Sequence, residues 1–233
     1  GDRVGTFAWN SHRHLELYWA APCMGAVLHT VNIRLSPQDV AFIVNHAGDS
    51  VLFVDQSLWP LIEPIRKDLR TVRQFILMPD APGAAGDETL DYETLLRNSQ
   101  AVDGWPRLDE EDAAGMCYTS GTTGHPKAAL YSHRALVLHT LAMAMADTFA
   151  VSERDTIMPI VPMFHANAWG LPFGATMAGA TQVYPGPNPQ PKEILELIQR
   201  ERVTFTAGVP TVWINLLPLL ETGQYDVSSI RAM

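Results

Sequence analysis

Cysteine is scarce in this chain of 233 residues: there are two, Cys23 and Cys117, both in apolar surroundings. They offer no disulfide framework and no metal-ligand spacing, so a reducing, cytoplasmic setting is expected. No apolar run approaches the roughly 20 residues of a membrane-spanning helix, so no transmembrane segment is expected. Positive charge is also thin, with 16 Lys and Arg against 25 Asp and Glu and a net charge of −9. That excludes a general nucleic-acid surface or an anionic-membrane surface, but not a local anion site. The opening Gly1-Asp2-Arg3-Val4-Gly5 does not have the form of a signal peptide. There is no internal repeat. Charged residues make up 18% and hydrophobic residues 47%, a globular balance.

What the chain does have is one informative stretch, Thr119-Ser120-Gly121-Thr122-Thr123-Gly124-His125-Pro126-Lys127. It follows Ala113–Tyr118, an apolar run that reads as a buried strand. It precedes Ser132-His133-Arg134 and an apolar-rich segment to Ala150, read as a helix. Glycines let backbone approach a ligand, successive N–H groups can cradle an anion, and hydroxyls with Lys127 add donors and charge. A Walker A loop is excluded, because His125 and Pro126 separate Lys127 from Gly124 and Ala128 stands where Ser or Thr is needed. A short glycine-rich turn alone would be an ordinary turn. The lysine and the flanking elements favour polyphosphate binding.

The remainder alternates strands and helices, which predicts an α/β fold of layered parallel or mixed sheets flanked by helices. Strands are expected at Val4–Trp9, Ala26–Val31, Ser50–Asp55, Gln74–Met78, Thr156–Phe164, Thr181–Tyr184 and Val203–Val209. A first helix runs to about Met24, capped by Asn10 or Ser11, with Leu15, Tyr18 and Trp19 towards the core. Ser36 and Pro37 start a second helix, which stops at Gly48. Leu58–Leu69 reads as a helix despite Pro60 and Pro64, Asp91–Arg97 as a short one, and Lys192–Arg202 as amphipathic. Pro185–Pro191 carries four prolines and reads as a loop. The polar connector Ser99–Glu111 suggests subdomains at 1–112 and 113–233.

The stretch Thr119–Lys127 resembles the signature loop of the adenylate-forming enzymes, which include acyl-CoA synthetases, luciferases and peptide-synthetase adenylation domains. The resemblance implies an incomplete N-terminal domain of a fatty acyl-CoA synthetase. In that family the loop handles the β- and γ-phosphates of ATP, which would make Thr119, Ser120, Gly121, Thr122, Thr123, Gly124 and Lys127 nucleotide-binding. The Thr119 hydroxyl would be a ligand to Mg²⁺. The match departs at Ala128, where the family has glycine; a methyl there would strain a backbone needing φ > 0.

Val161-Pro162-Met163-Phe164-His165-Ala166-Asn167-Ala168-Trp169-Gly170 is the second stretch. A histidine at a strand end can stand in the cleft where open α/β sheets bind ligands, and it can equally be a core histidine. The stretch resembles the Pro-Met-Phe-His motif of the same family. By that resemblance His165 lies by the acyl carboxylate, Ala166 and Trp169 line the junction of nucleotide and acyl pockets, and Trp169 walls or gates an apolar tunnel. Thr204–Thr211 is a third match, with Gly208, Val209 and Pro210 on the acyl and pantetheine side. A buried strand followed by a proline-initiated helix explains the same letters.

The reaction implied is ATP-dependent activation of a fatty acid to an acyl-adenylate, then transfer to coenzyme A, with Lys127 and His165 as the catalytic residues. Aromatic and aliphatic residues after Phe164 favour medium or long chains. Loading of a carrier protein, and a non-catalytic nucleotide- or acyl-binding module, are the alternatives. In the family, the C-terminal domain and the adenine- and ribose-binding motifs lie further along, so the chain is expected to be a cut piece, inactive alone. The oligomeric state is not legible in the sequence; the apolar N-terminal region leaves a homodimer open.

Overall fold

The computed structural model describes residues 1–79, 89–119 and 126–233. It divides into two units, 1–8 with 13–135 and 9–12 with 136–233.

The first unit is built on a seven-stranded sheet in the order β5-β4-β3-β1-β2-β6-β7. Its strands are β1 (Arg3–Phe7), β2 (Val27–Thr30), β3 (Asp49–Asp55), β4 (Gln74–Met78), β5 (Leu90–Asp91), β6 (Ala113–Tyr118) and β7 (Ala128–Ser132). Neighbours run parallel except β6 and β7, which are antiparallel. Buried parallel strands read as near-continuous apolar runs, and Val51–Val54 and Phe75–Met78 are such runs.

Helices α1 (His12–Cys23) and α2 (Pro37–Ala47) join the central strands. Ser36 Oγ accepts from the Asp39 amide, Pro37 opens α2, and Gly48 ends it at φ 72°. Its buried face is Val40, Ile43 and Val44, worth about 1.5–3 kcal/mol each in burial. The expected inward face of α1 is shifted. His14, Leu17, Tyr18, Ala21 and Pro22 are buried, while Leu15 and Trp19 are half-buried.

The single helix expected over 58–69 is three pieces: a 3-10 turn at Gln56–Leu58, the one-turn α3 (Trp59–Ile62) and a 3-10 segment at Glu63–Asp68. Pro60 and Pro64 each lack the N–H that a continuous helix needs, so each restarts the chain as a first-turn residue. Helix α4 (Tyr92–Asn98) is capped by Asp91 Oδ1, which accepts from the Thr94 amide at 2.7 Å. The subdivision expected at 112/113 falls inside the sheet. Cross-strand hydrogen bonding joins β6 to β2, through Leu28↔Gly115 and its neighbours.

The second unit contains α5 (His133–Ala144) beyond residue 135, then β8 (Thr156–Pro159), α6 (Leu171–Ala178), β9 (Thr181–Gln182), α7 (Pro191–Glu201), β10 (Phe205–Ala207) and α8 (Pro210–Leu220). Its parallel sheet has the order β10-β8-β9. Met158, Ile194, Leu195, Ile198, Val203 and Leu216 form the core between sheet and helices. The strand expected over 156–164 is short. After Pro159 the chain leaves the ladder, and Ile160 and Val161 both donate to the Ala207 carbonyl, at 2.9 and 2.8 Å.

Candidate functional site

The signature stretch connects two antiparallel strands, β6 and β7, so a short strand stands between it and the expected helix, which is α5 and stops at Ala144 rather than Ala150. Tyr118 pairs with Ala128, and the Thr119 amide donates to the Lys127 carbonyl at 2.9 Å. The two ends of the loop are therefore pinned together. Thr119 and Lys127 are exposed at that base. The Thr119 hydroxyl also faces the Lys127 carbonyl, at a long 3.4 Å. Ser120, Gly121, Thr122, Thr123 and Gly124 lie outside the described residues. Ala128 is strand residue and is not among the residues with positive φ, so its methyl costs nothing in backbone strain.

Beneath the hairpin are two linked polar pairs that the sequence did not reveal. His46 Nδ1 and the Tyr118 hydroxyl share a hydrogen bond of 2.7 Å, and the Tyr118 ring lies 5.1 Å from His29. His29 Nδ1 in turn meets Asp49 Oδ2 at 2.7 Å, with both side chains fully buried. Burial pushes the Asp49 carboxyl up, against the lowering influence of His29 and Arg3. Burial and the nearby Asp49 charge also raise the Tyr118 phenol. No periodicity marks such pairs, because His29 occupies an ordinary strand position.

In the second unit the Pro162–Gly170 stretch leaves β8 and makes an unusual turn. Ala166, Asn167, Ala168 and Trp169 have φ of 45°, 51°, 48° and 56°, and Gly170 follows at 74°. A left-handed residue with a side chain costs roughly 1–2 kcal/mol, so four in succession are held by their surroundings. Part of that support is visible at Gly170 and Gly174. A Cβ on Gly170 would stand 2.8 Å from His139 Nδ1, and one on Gly174 would stand 2.8 Å from Met143 Cε. Two side chains one turn apart on α5 thus lie directly against two glycines. His165 and Trp169 are exposed, Trp169 to 43%, and Ala166 is half-buried.

The turn after β10 reaches the same sheet edge through Ala207. Gly208 is half-buried, and Val209 and Pro210 are exposed. The space above Gly208 is held by the Trp213 indole, whose Cζ2 would lie 2.8 Å from a side-chain carbon there. The structure therefore brings Thr119 together with Lys127 in the first unit. It brings the His165 stretch together with the Gly208 turn in the second.

The loop on a mostly parallel sheet and the His165 turn beside a parallel one belong to one class. The whole chain, residues 1–233, matches the AMP-binding enzyme family and belongs to it. It is 51% identical over 234 residues to a long-chain-fatty-acid–CoA ligase of Thermus thermophilus, covering 100% of this chain and 42% of that protein. It is 46% identical over 223 residues to a 3-methylmercaptopropionyl-CoA ligase of Ruegeria lacuscaerulensis, covering 93% of this chain and 41% of that one. The solved N-terminal domain of FACL13 from Mycobacterium tuberculosis superposes with a TM-score of 0.85 at 28% identity, over 99% of this chain and 55% of that domain. The chain thus spans about two fifths of the length of the curated relatives it matches. Among the described residues no helix is long and apolar enough to cross a membrane.

Proposed function

We propose that the complete protein is an AMP-forming acyl-CoA synthetase acting on medium- or long-chain fatty acids. The observation that carries this is the pinned hairpin Thr119–Lys127, in a chain 51% identical along its whole length to a fatty-acid–CoA ligase. The carboxylate attacks the α-phosphorus of ATP, giving acyl-adenylate and pyrophosphate, and the thiolate of coenzyme A then displaces AMP. Positioning and charge neutralisation carry most of such a transfer. Residues 119–127 hold the departing pyrophosphate, with Lys127 supplying positive charge. His165 orients the carboxylate, and Ala166 and Trp169 line the nucleotide–acyl junction, with Trp169 as a wall of the acyl passage. Gly208, Val209 and Pro210 border the acyl and pantetheine side.

Among the described residues no group of three or more His, Cys, Asp or Glu could hold a metal ion. Mg²⁺ at a nucleotide is carried mainly by phosphate oxygens, with one or two protein ligands. The Thr119 hydroxyl is the ligand we assign, because its contact with the Lys127 carbonyl is long and easily exchanged. Bound Mg²⁺ would spread the phosphate charge.

The test is carboxylic-acid-dependent ATP–pyrophosphate exchange by the complete protein, comparing acetate, 3-(methylthio)propionate, octanoate and palmitate. Higher kcat/KM for octanoate or palmitate is expected. A preference for either short acid overturns the substrate class, and ATP hydrolysis to ADP without exchange overturns adenylation.

A further inference from the structure

We propose that Asn10 is a positioning residue that determines where His165 stands. This rests on the adenylation reading for its functional consequence, but its geometry is independent of that reading. Asn10 is expected from sequence as a helix cap, yet its carboxamide is directed elsewhere. Its Nδ2 donates to the Pro159 and Val161 carbonyls, each at 2.9 Å, and its Oδ1 accepts from the Met163 amide at 2.8 Å. The residue is 7% exposed. Two N–H groups meet two carbonyls and one oxygen meets one amide, so only a carboxamide of this length completes the set.

The segment it holds is the one that ends in His165. On the other side the Ala207 carbonyl takes the Ile160 and Val161 amides, and the His165 amide closes back on the Pro162 carbonyl at 3.0 Å. Residues 160–165 have left the β-ladder, with Ala207 as the strand residue that still takes the Ile160 and Val161 amides. Asn10 holds them from the opposite side. Its backbone carbonyl also accepts from Gly186 at 3.2 Å, which ties the proline-rich loop to the same point. The strained turn at 166–169 starts immediately after this segment, so any slack at Met163 passes directly into His165 and Trp169.

Removing the side chain takes three hydrogen bonds away from buried backbone groups of Pro159, Val161 and Met163. Asn10→Asp keeps the shape but sets a carboxylate oxygen against two carbonyl oxygens. Both variants, and Arg231→Met as a destabilised control at the other end of β8, beside Asp155, would be made in the complete chain and matched by thermal melting. Two measurements are taken: amide hydrogen exchange over 160–165, and kinetics of ATP–pyrophosphate exchange. Asn10→Ala and Asn10→Asp are expected to raise exchange over 160–165 at least about tenfold, with the β1–β4 amides unchanged. They should lower kcat for acid activation by about 10²-fold, as for a misplacement near 1 Å, with the KM for ATP changed less than about twofold. Wild-type exchange rates over 160–165 in Asn10→Ala would overturn the proposal. So would an equal fall of kcat in Arg231→Met. If the wild-type protein gives no acid-dependent exchange, adenylation fails instead, and amide exchange alone decides the role of Asn10.

Discussion

The Thr119 amide donates to the Lys127 carbonyl at 2.9 Å, so the first and last residues of the signature loop are neighbours across a β-hairpin. The pairing uses backbone atoms only, which leaves the lysine side chain free to vary. Lys127→Ala in the complete protein is accordingly expected to leave the melting temperature within a degree or two. It should slow adenylation by about 10²–10³-fold, as for loss of one charged donor to a developing anion. Single-turnover formation of acyl-adenylate checks this, and wild-type rates would remove Lys127 from the phosphate site.

Ala128 pairs with Tyr118 in β7. Ala128→Gly should therefore bring no gain in activity and cost about 0.5–1 kcal/mol, the usual effect of glycine within a strand. A large rise in turnover would show that this position is strained in the working enzyme.

Ala166 has φ 45°. Alanine to glycine normally destabilises, but here the left-handed strain is relieved. Ala166→Gly is expected to raise stability by about 0.5–1 kcal/mol. The urea midpoint checks the sign.

His29 and Asp49 are completely buried against each other. His29→Leu strands a buried carboxyl and should cost about 3 kcal/mol or more. Replacing both residues with apolar ones of similar size should recover most of it. A double-mutant cycle measures the difference.

Asp155 accepts from Arg231 Nε and Nη2, at 2.7 and 3.0 Å, and from the Thr204 hydroxyl at 2.7 Å. Burial alone would raise its carboxyl, but these partners and the Ser152 amide hold it down to about 2. The folded value lies below the unfolded one, so the pair stabilises above about pH 4, and that contribution is lost as pH falls towards 2. After allowance for the partly exposed Arg231 the loss is about 1–2 kcal/mol. Asp155→Asn should show a correspondingly smaller fall in urea midpoint from pH 5 to pH 3.

Legibility in sequence followed locality. Ser36, Pro37 and Gly48 are start and stop signals read within one helix, and the apolar runs at 51–54 and 75–78 are strands whatever their neighbours. The family of the Thr119–Lys127 loop was equally plain. What the sequence hid depends on distant partners. Residues 128–131 carry no strand signal strong enough to stand alone until β6 is placed beside them. Asn10 has a suitable composition for a cap, and only the folded chain shows its carboxamide on 159–163. The left-handed turn has a hint in Gly170 and Asn167, since both tolerate positive φ. Two alanines and a tryptophan conceal it, because the strain is supported by packing from α5.

Asn10 and Met163 are 153 residues apart in the chain. At synthesis rates of roughly 5–20 residues per second, Asn10 leaves the ribosome some 8–30 s before its partner exists. Contacts this distant in sequence also close late once the chain is complete. The His165 segment is thus expected to be among the last parts of the second unit to order. A chaperone or protease meeting the nascent protein would find residues 9–12 open during that interval.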